Sequence, residues 1–398
     1  MSFPHRCLAV AALLVVPTAA AADRALTPGG LTPPRSPGLA AHAHRGTKVG
    51  LGKVLTSAFG GEIFGFDVDE NGTDGILDDA VTQGSGLKSA IETFDTTTGS
   101  ITKVVKTLES PTGSDELVTF GIVGSDVGLI DDERDETQHP STRRDRFFLA
   151  DPVAGGKITA RWMPAHPANS VLWEIAQNQT TSTQVAVMLR LGSNGTSGAL
   201  NVWDSSTGAL LHVFPLRRSG GLLAEDTATN QAVLAGSDPY GAPIFTLVNL
   251  ATGKTFEFHG LNFGAGSVNG VAVDSTTGIA CTATEENAAV EFYTLSNGVG
   301  KEVQLPGNVG QLNSGAAVTN DPVNGLFLVA QPVTSTGGRG SSIDVYDETG
   351  HLVETINGFN FSNDTRPPSF FVKIAINPST RTGWVNGPTN DQLQQFFY

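Results

Sequence analysis

Cysteine is nearly missing from this 398-residue chain: it has two, Cys7 and Cys281. Cys7 falls in residues 1–22, which read as a secretory signal. His5 and Arg6 lead into apolar Leu8 to Val16, and Ala20-Ala21-Ala22 supplies a small-residue cleavage site. Its removal leaves Cys281 alone, which excludes an intrachain disulfide and a cysteine-based metal site. Cys281 lies within Ile279-Ala280-Cys281-Thr282-Ala283 and is expected to be a small buried residue rather than a nucleophile. The apolar run of the signal is too short to span a bilayer, and no later stretch approaches about 20 apolar residues. The mature chain is therefore expected to be soluble and secreted, to the extracellular space or periplasm.

Basic charge is also scarce. Lys and Arg total 24 against 39 Asp and Glu, a formal net charge of −15. That balance argues against nucleic acid as a partner, since phosphate contacts require cationic surface. It also argues against an electrostatic hold on anionic membranes. Catalytic signatures are absent: no Gly-x-Ser-x-Gly, no His-Glu-x-x-His and no Cys-x-x-Cys occurs. Gly253-Lys254-Thr255 imitates the end of a phosphate-binding loop but lacks the glycine five residues earlier.

What the chain does have is a repeated unit, clearest between Gly315 and Phe359. Ala316-Ala317-Val318 turns through Asn320 to Gly325 into Leu326 to Ala330. After a Gly/Ser-rich insertion, Ile343 to Asp347 turns through Glu348-Thr349-Gly350 into Leu352 to Ile356. Four short apolar runs joined by tight turns predict an antiparallel four-stranded meander. The turn between third and fourth runs recurs as Asp95 to Gly99, Asp151 to Gly155, Asp204 to Gly208, Asn249 to Gly253, Thr294 to Gly298 and Asp347 to Gly350. Its glycines fall 56, 53, 45, 45 and 52 residues apart by subtraction. Asp or Asn opens most of these turns and Gly closes them, because glycine accepts positive φ without steric cost.

A second series marks the turn between first and second runs: Asp69 to Gly75, Gly124 to Asp126, Asn178 to Thr183, Asp226 to Asn230, Asp274 to Gly278, Asn320 to Gly325 and Asn377 to Gly383. Seven such turns stand against six of the other kind, since the last unit ends after its third run, Gln392 to Tyr398. An unfinished unit would expose a bare edge. The segment from Lys48 to Thr56 is the obvious donor of its outer strand. The expectation is an all-β fold over residues 46–398: a seven-bladed β-propeller closed by an N-terminal strand. It would follow a Pro/Gly/Ala-rich flexible leader at residues 23–45.

Val202-Trp203-Asp204, Val345-Tyr346-Asp347 and the Asp-x-x-Thr-Gly turns resemble the superfamily of seven-bladed propellers with WD40-like or YVTN-type repeats. The resemblance covers roughly Gly46 to Tyr398 and implies architecture, not activity. It also implies that binding concentrates on the face carrying the second-to-third and fourth-to-first connections. His139, Arg143, Arg144, His166, Arg339 and Arg366 fall in loops of that face, as do Arg217 and Arg218. Arginine forks there suit an anionic or hydroxylated ligand, or a protein partner. His212, His259 and His351 fall instead on or beside outermost strands.

One cofactor is suggested. Asp67, Asp69, Asn71, Thr73 and Asp78 place oxygen ligands at alternate positions, with Gly72 sixth and an acid twelfth, as in a calcium loop. Asp74 stands where an apolar residue is usual, and Asp78 is shorter than the customary Glu. The same residues equally suit the first-turn slot of a repeat. Two functions remain: a secreted non-catalytic propeller binding a ligand or protein, or a propeller enzyme of lactonase or lyase type with its site at the channel mouth. Sequons at Asn71, Asn178, Asn194, Asn360 and Asn363 bear on a glycosylating host only.

Overall fold

Runs such as Leu326 to Gln331 are apolar on both faces, bounded by turn residues and buried along their whole length. Such segments are strands flanked by packed sheets on either side. In the computed structural model the described residues are 49–69, 72–83, 86–110, 129–131, 146–151, 157–162, 170–178, 183–190, 197–204, 209–216, 222–237, 243–261, 268–284, 289–305, 317–331, 341–360, 373–387, 389 and 391–398, with mainly backbone alone from 105 to 197. Among them every regular element is a strand, and no helix is long and apolar enough to cross a membrane.

The strands form seven antiparallel sheets among the described residues. The chain begins with β1 (Gly50–Thr56). Sheet one follows: β2 (Glu62–Val68), β3 (Asp74–Gln83), β4 (Gly86–Asp95) and β5 (Ser100–Ser110). Sheet two has β6 (Leu129–Asp131), β7 (Arg146–Asp151) and β8 (Lys157–Trp162). Sheet three has β9 (Ser170–Asn178), β10 (Thr183–Arg190), β11 (Ser197–Asp204) and β12 (Leu210–Leu216). Sheet four has β13 (Leu222–Asp226), β14 (Gln231–Ser237), β15 (Pro243–Asn249) and β16 (Thr255–His259). Sheet five runs β17 (Val268–Asp274), β18 (Ile279–Thr284), β19 (Ala289–Thr294) and β20 (Val299–Gln304). Sheet six runs β21 (Ala317–Asp321), β22 (Leu326–Gln331), β23 (Ser341–Asp347) and β24 (Leu352–Phe359). In sheet seven, β25 (Ile374–Asn377), β26 (Thr382–Asn386) and β27 (Gln392–Phe397) take β1 as their outer strand, with Leu55 opposite Leu393.

The core lies between the sheets, not at one centre. Leu200 and Val202 of sheet three pack with Leu234 and Val248 of sheet four. Phe245 of sheet four packs on Tyr293 of sheet five, and Phe292 of sheet five on Phe327 and Tyr346 of sheet six. Ile343 and Val345 of sheet six meet Val385 and Phe396 of sheet seven. Trp384 of sheet seven meets Phe94 of sheet one edge-on at 5.4 Å. Each of these seams buries both partners' faces, so the sheets it joins depend on each other for much of their hydrophobic stabilisation. Cys281 is fully buried in one seam, where burial and then the Glu291 charge push its thiol pKa up.

The recurrent glycines have a seat as well as a conformation. Gly99, Gly253, Gly298 and Gly350 have φ between 66° and 74°. A Cβ on Gly253 would meet Phe214 of the preceding sheet at 2.6 Å; on Gly298 it would meet Phe258 at 2.9 Å. On Gly350 it would meet Phe292 and Val303 at 2.9 Å, and on Gly99, Trp384 at 3.1 Å. The opening residue fastens the same turn: Asp95 Oδ1 accepts from the amides of Thr97 and Thr98, Asn249 Oδ1 from Ala251 and Thr252, Asp347 Oδ1 from Thr349 and His351. Lys53 and Lys301 add a second tie, donating to the Thr97 and Thr349 carbonyls of the following sheet.

Candidate functional site

Where the turns are described, the hairpins fall at one end of the strands, and the antiparallel strand order directs the second-to-third and fourth-to-first connections from the other. The turn end is committed to packing. Besides the seated glycines, the last residue of β13, β17, β21 and β25 caps its own turn. Asp226 accepts from Thr229, Asp274 from the Thr276 amide, and Asp321 from the amides of Val323 and Asn324. Asn377 accepts from the Thr380 amide and donates across the seam to the carbonyls of Asp69 and Gly72. Tyr398 donates to Asp321 Oδ2 at 3.0 Å. These acids are structural.

At the opposite end, one crossing between sheets and the first residues of a second are described, and buried acids hold the described residues of both. Residues 57–61 carry the chain from β1 into β2. Asp79 accepts from the Ser57 hydroxyl and, at 3.0 Å, from the Gly61 amide. Glu92 accepts from the Ala58 amide at 3.0 Å and the Phe59 amide at 2.9 Å. Burial raises both carboxyl pKa values above the usual range, and the donated hydrogen bonds offset part of that rise. The second crossing leaves β16: the Tyr293 hydroxyl accepts from the Leu261 amide at 2.8 Å and donates to buried Glu291. Asp344, at the equivalent place in β23, accepts from Gln331 and from Thr355. Each of these acids stands three residues before the residue that opens the following turn, namely Asp95, Thr294 and Asp347. An aligned comparison of the third runs would have revealed this position.

His139, Arg143, Arg144, His166, Arg339 and Arg366 all lie outside the described residues. So does Asn71 of the calcium candidate. Asp67 lies at the end of β2 and Asp69 just after it, Thr73 sits in the turn, and Asp78 stands inside β3 opposite Gly65. The twelve-residue spacing is thus laid along a hairpin, with Asp67 Oδ1 accepting from the Val68 amide and the Asp69 amide bonded to the Asp74 carbonyl. Among the described residues no group of three or more His, Cys, Asp or Glu is placed to hold a metal ion. The described first strands β2, β9, β13, β17, β21 and β25 contain no His, Cys, Lys or Arg.

No family model and no curated protein matches the chain. Solved structures do. Raptor from Chaetomium thermophilum superposes with a TM-score of 0.57 at 11% identity, covering 86% of this chain. This chain spans only 28% of that one. A chain of the Mitotic Checkpoint Complex gives a TM-score of 0.57 at 12% identity, covering 94% of this chain and 99% of its own length. The fold is a WD40-like β-propeller. Identities this low carry the fold and nothing further, and activity has to be argued from the propeller's own residues.

Proposed function

We propose that this propeller is a secreted, non-catalytic binding protein. In this reading it has seven blades in a ring closed by β1, and it holds a protein partner through the connections opposite its hairpin turns. The observation that carries the reading is the difference between the two ends. At the turn end, glycines, caps and interblade ties absorb the polar and close-packing capacity. At the other end the connections are long, and they contain Arg143, Arg144, Arg339 and Arg366 in an otherwise acidic chain. Scaffolds that fix many loops on one face are suited to protein recognition. The solved relatives include a chain named for a complex, which accords with a partner-binding role.

The buried acids near that end are spent on anchoring chain crossings, which favours binding over acid–base chemistry. The test is comparative. The mature chain is recovered from the medium of a secreting host, and its partner is captured from the host's extracellular fluid by cross-linking. Arg144→Ala and Arg366→Ala should weaken capture of the same partner at least about tenfold, roughly 1.4 kcal/mol, without lowering Tm. Val323→Lys, at an exposed turn-end position, should leave capture intact. Loss of capture by the turn-end variant with retention by the arginine variants would overturn the reading.

A further inference from the structure

An outer strand has no neighbour of its own sheet on one side, and charged residues on such strands keep edges apart. Six of the seven outer strands among the described residues obey this. β1 carries Lys53, β5 Lys103 and Lys106, β8 Lys157 and Arg161, β16 Glu257, β20 Lys301 and Glu302, and β24 Glu354. Where those strands expose an apolar side chain, a charge stands within two positions: Val54 beside Lys53, Val104 beside Lys103, Phe256 beside Glu257, Val299 near Lys301.

β12 breaks the rule. Its sequence, Leu210-Leu-His-Val-Phe-Pro-Leu216, holds no Asp, Glu, Lys or Arg. Its first four residues are all exposed, with Leu210 at 37%, Leu211 at 46% and Val213 at 52%. Phe214 is turned inward onto Gly253 of the next blade and stacks with His212 at 5.5 Å. Val213 and Pro215 therefore occupy the other face. Pro215 has no amide hydrogen, so it fits a strand only where its nitrogen points away from the neighbour, toward the open edge. Val213, two residues away and opposite Asn201 of β11, then turns its own N–H and C=O to the same edge.

We infer that β12 is a self-association edge: two copies of this chain pair β12 with β12, antiparallel, across a two-fold axis at Val213. A two-fold contact brings every charge in twice, so a strand carrying charge of one sign sets that charge beside its like. Charge decides the occupant here. β12 is the one described outer strand that brings no Asp, Glu, Lys or Arg into such a contact, so its own copy is not repelled there. The register is self-complementary. Val213 faces Val213 of the second copy and exchanges both backbone hydrogen bonds with it. His212 faces Phe214 and Leu211 faces Pro215, where the bulge of β12 at Leu211 ends the regular pairing. The missing amide of Pro215 removes one bond per copy and leaves the central pair intact. An interface confined to one strand pair is small, so association is weak and concentration-dependent.

Sedimentation of the full mature chain over roughly 1 µM to 1 mM tests this. The parent should pass from monomer to dimer. Val213→Lys, which sets two ammonium groups on the axis, should be at least tenfold weaker in association while keeping the parent's Tm, because the site is exposed. Val299→Lys, a charge placed on β20, should dimerise like the parent. As a direct check, Val213→Cys should form a disulfide dimer under mild oxidant. Directly opposed residues lie about 5.5 Å apart at Cα, inside the bridging range. Val299→Cys should not form one. A parent monomeric over the whole range, or a Val213→Lys chain that associates as the parent does, overturns the proposal.

Discussion

Gly253 and Gly278 share a backbone φ of 69°, yet they stand in different surroundings. A methyl group on Gly278 meets nothing within 4 Å; on Gly253 it meets the Phe214 ring at 2.6 Å. The pair separates conformational strain from packing. Gly278→Ala should lose about 1–2 kcal/mol, the cost of an L-residue in the left-handed region. Gly253→Ala should lose that plus a further ~1–3 kcal/mol of overpacking, because the ring has to move. Urea melts of the two variants check the difference; equal losses would mean that the seat under Phe214 is loose. The need for glycine was legible in the Asp-x-x-Thr-Gly turns. Its seat was not, because Phe214 belongs to the preceding unit and no local pattern links the two.

Glu225 is the other residue with a clear prediction. Its carboxylate oxygens are buried with no hydrogen-bond partner among the described residues, and burial raises its pKa to about 8. The folded state thus holds the proton more tightly than the unfolded chain, whose group titrates near 4.5. Stability is full below about pH 4.5 and declines as pH rises toward 8, by up to ~1.4 kcal/mol per unit. Glu225→Gln should flatten that decline and raise Tm at pH 8 while changing little at pH 5. An unchanged pH–Tm profile would show that Glu225 finds a partner in solution.

At the scale of elements, β1 bears the largest consequence. Its register with β27 shifts between Leu51 and Val54, and side chains cover the interruption. Gln394 donates to the carbonyls of Gly52 and Lys53, while Gln395 accepts from the Lys53 amide. A Cβ on Gly52 would stand 2.5 Å from Gln395 Oε1 and 2.9 Å from the Phe397 ring, so a side chain there would displace the Gln395 contact. A chain lacking residues 46–58 should expose β27 as a bare edge, lose the Ser57 and Ala58 donors to Asp79 and Glu92, and aggregate on heating. Removing residues 23–44 should leave Tm unchanged. If both truncations melt like the parent, β1 does not hold the seventh sheet. The need for this strand was legible because the last unit ends one run short. The bulge was not, since glutamine serves many surfaces equally well.

At the scale of the molecule, the sheets were legible because each repeats the same alternation and turn chemistry. The proposed binding residues had no such signal, because the connections that carry Arg143, Arg144 and Arg366 share no pattern from one unit to the next. The buried acids Glu92, Glu291 and Asp344 were hidden for the opposite reason. They do repeat, but a charge within a short apolar run reads locally as a strand with one solvent-facing residue. Only packing on both faces makes such a position internal.

The seating of the turn glycines has a direction. Gly253 docks under a side chain of sheet three, Gly298 under sheet four and Gly350 under sheet five. In each case the host is made earlier in the chain than its guest. A ribosome adding about 5–20 residues per second therefore delivers each of these turns to a neighbour already outside the tunnel. Gly99 is the exception. Trp384, part of its cover, is made almost 300 residues later. During synthesis that one cradle stays open longest, and it is where a chaperone or a misplaced strand has the most time to enter.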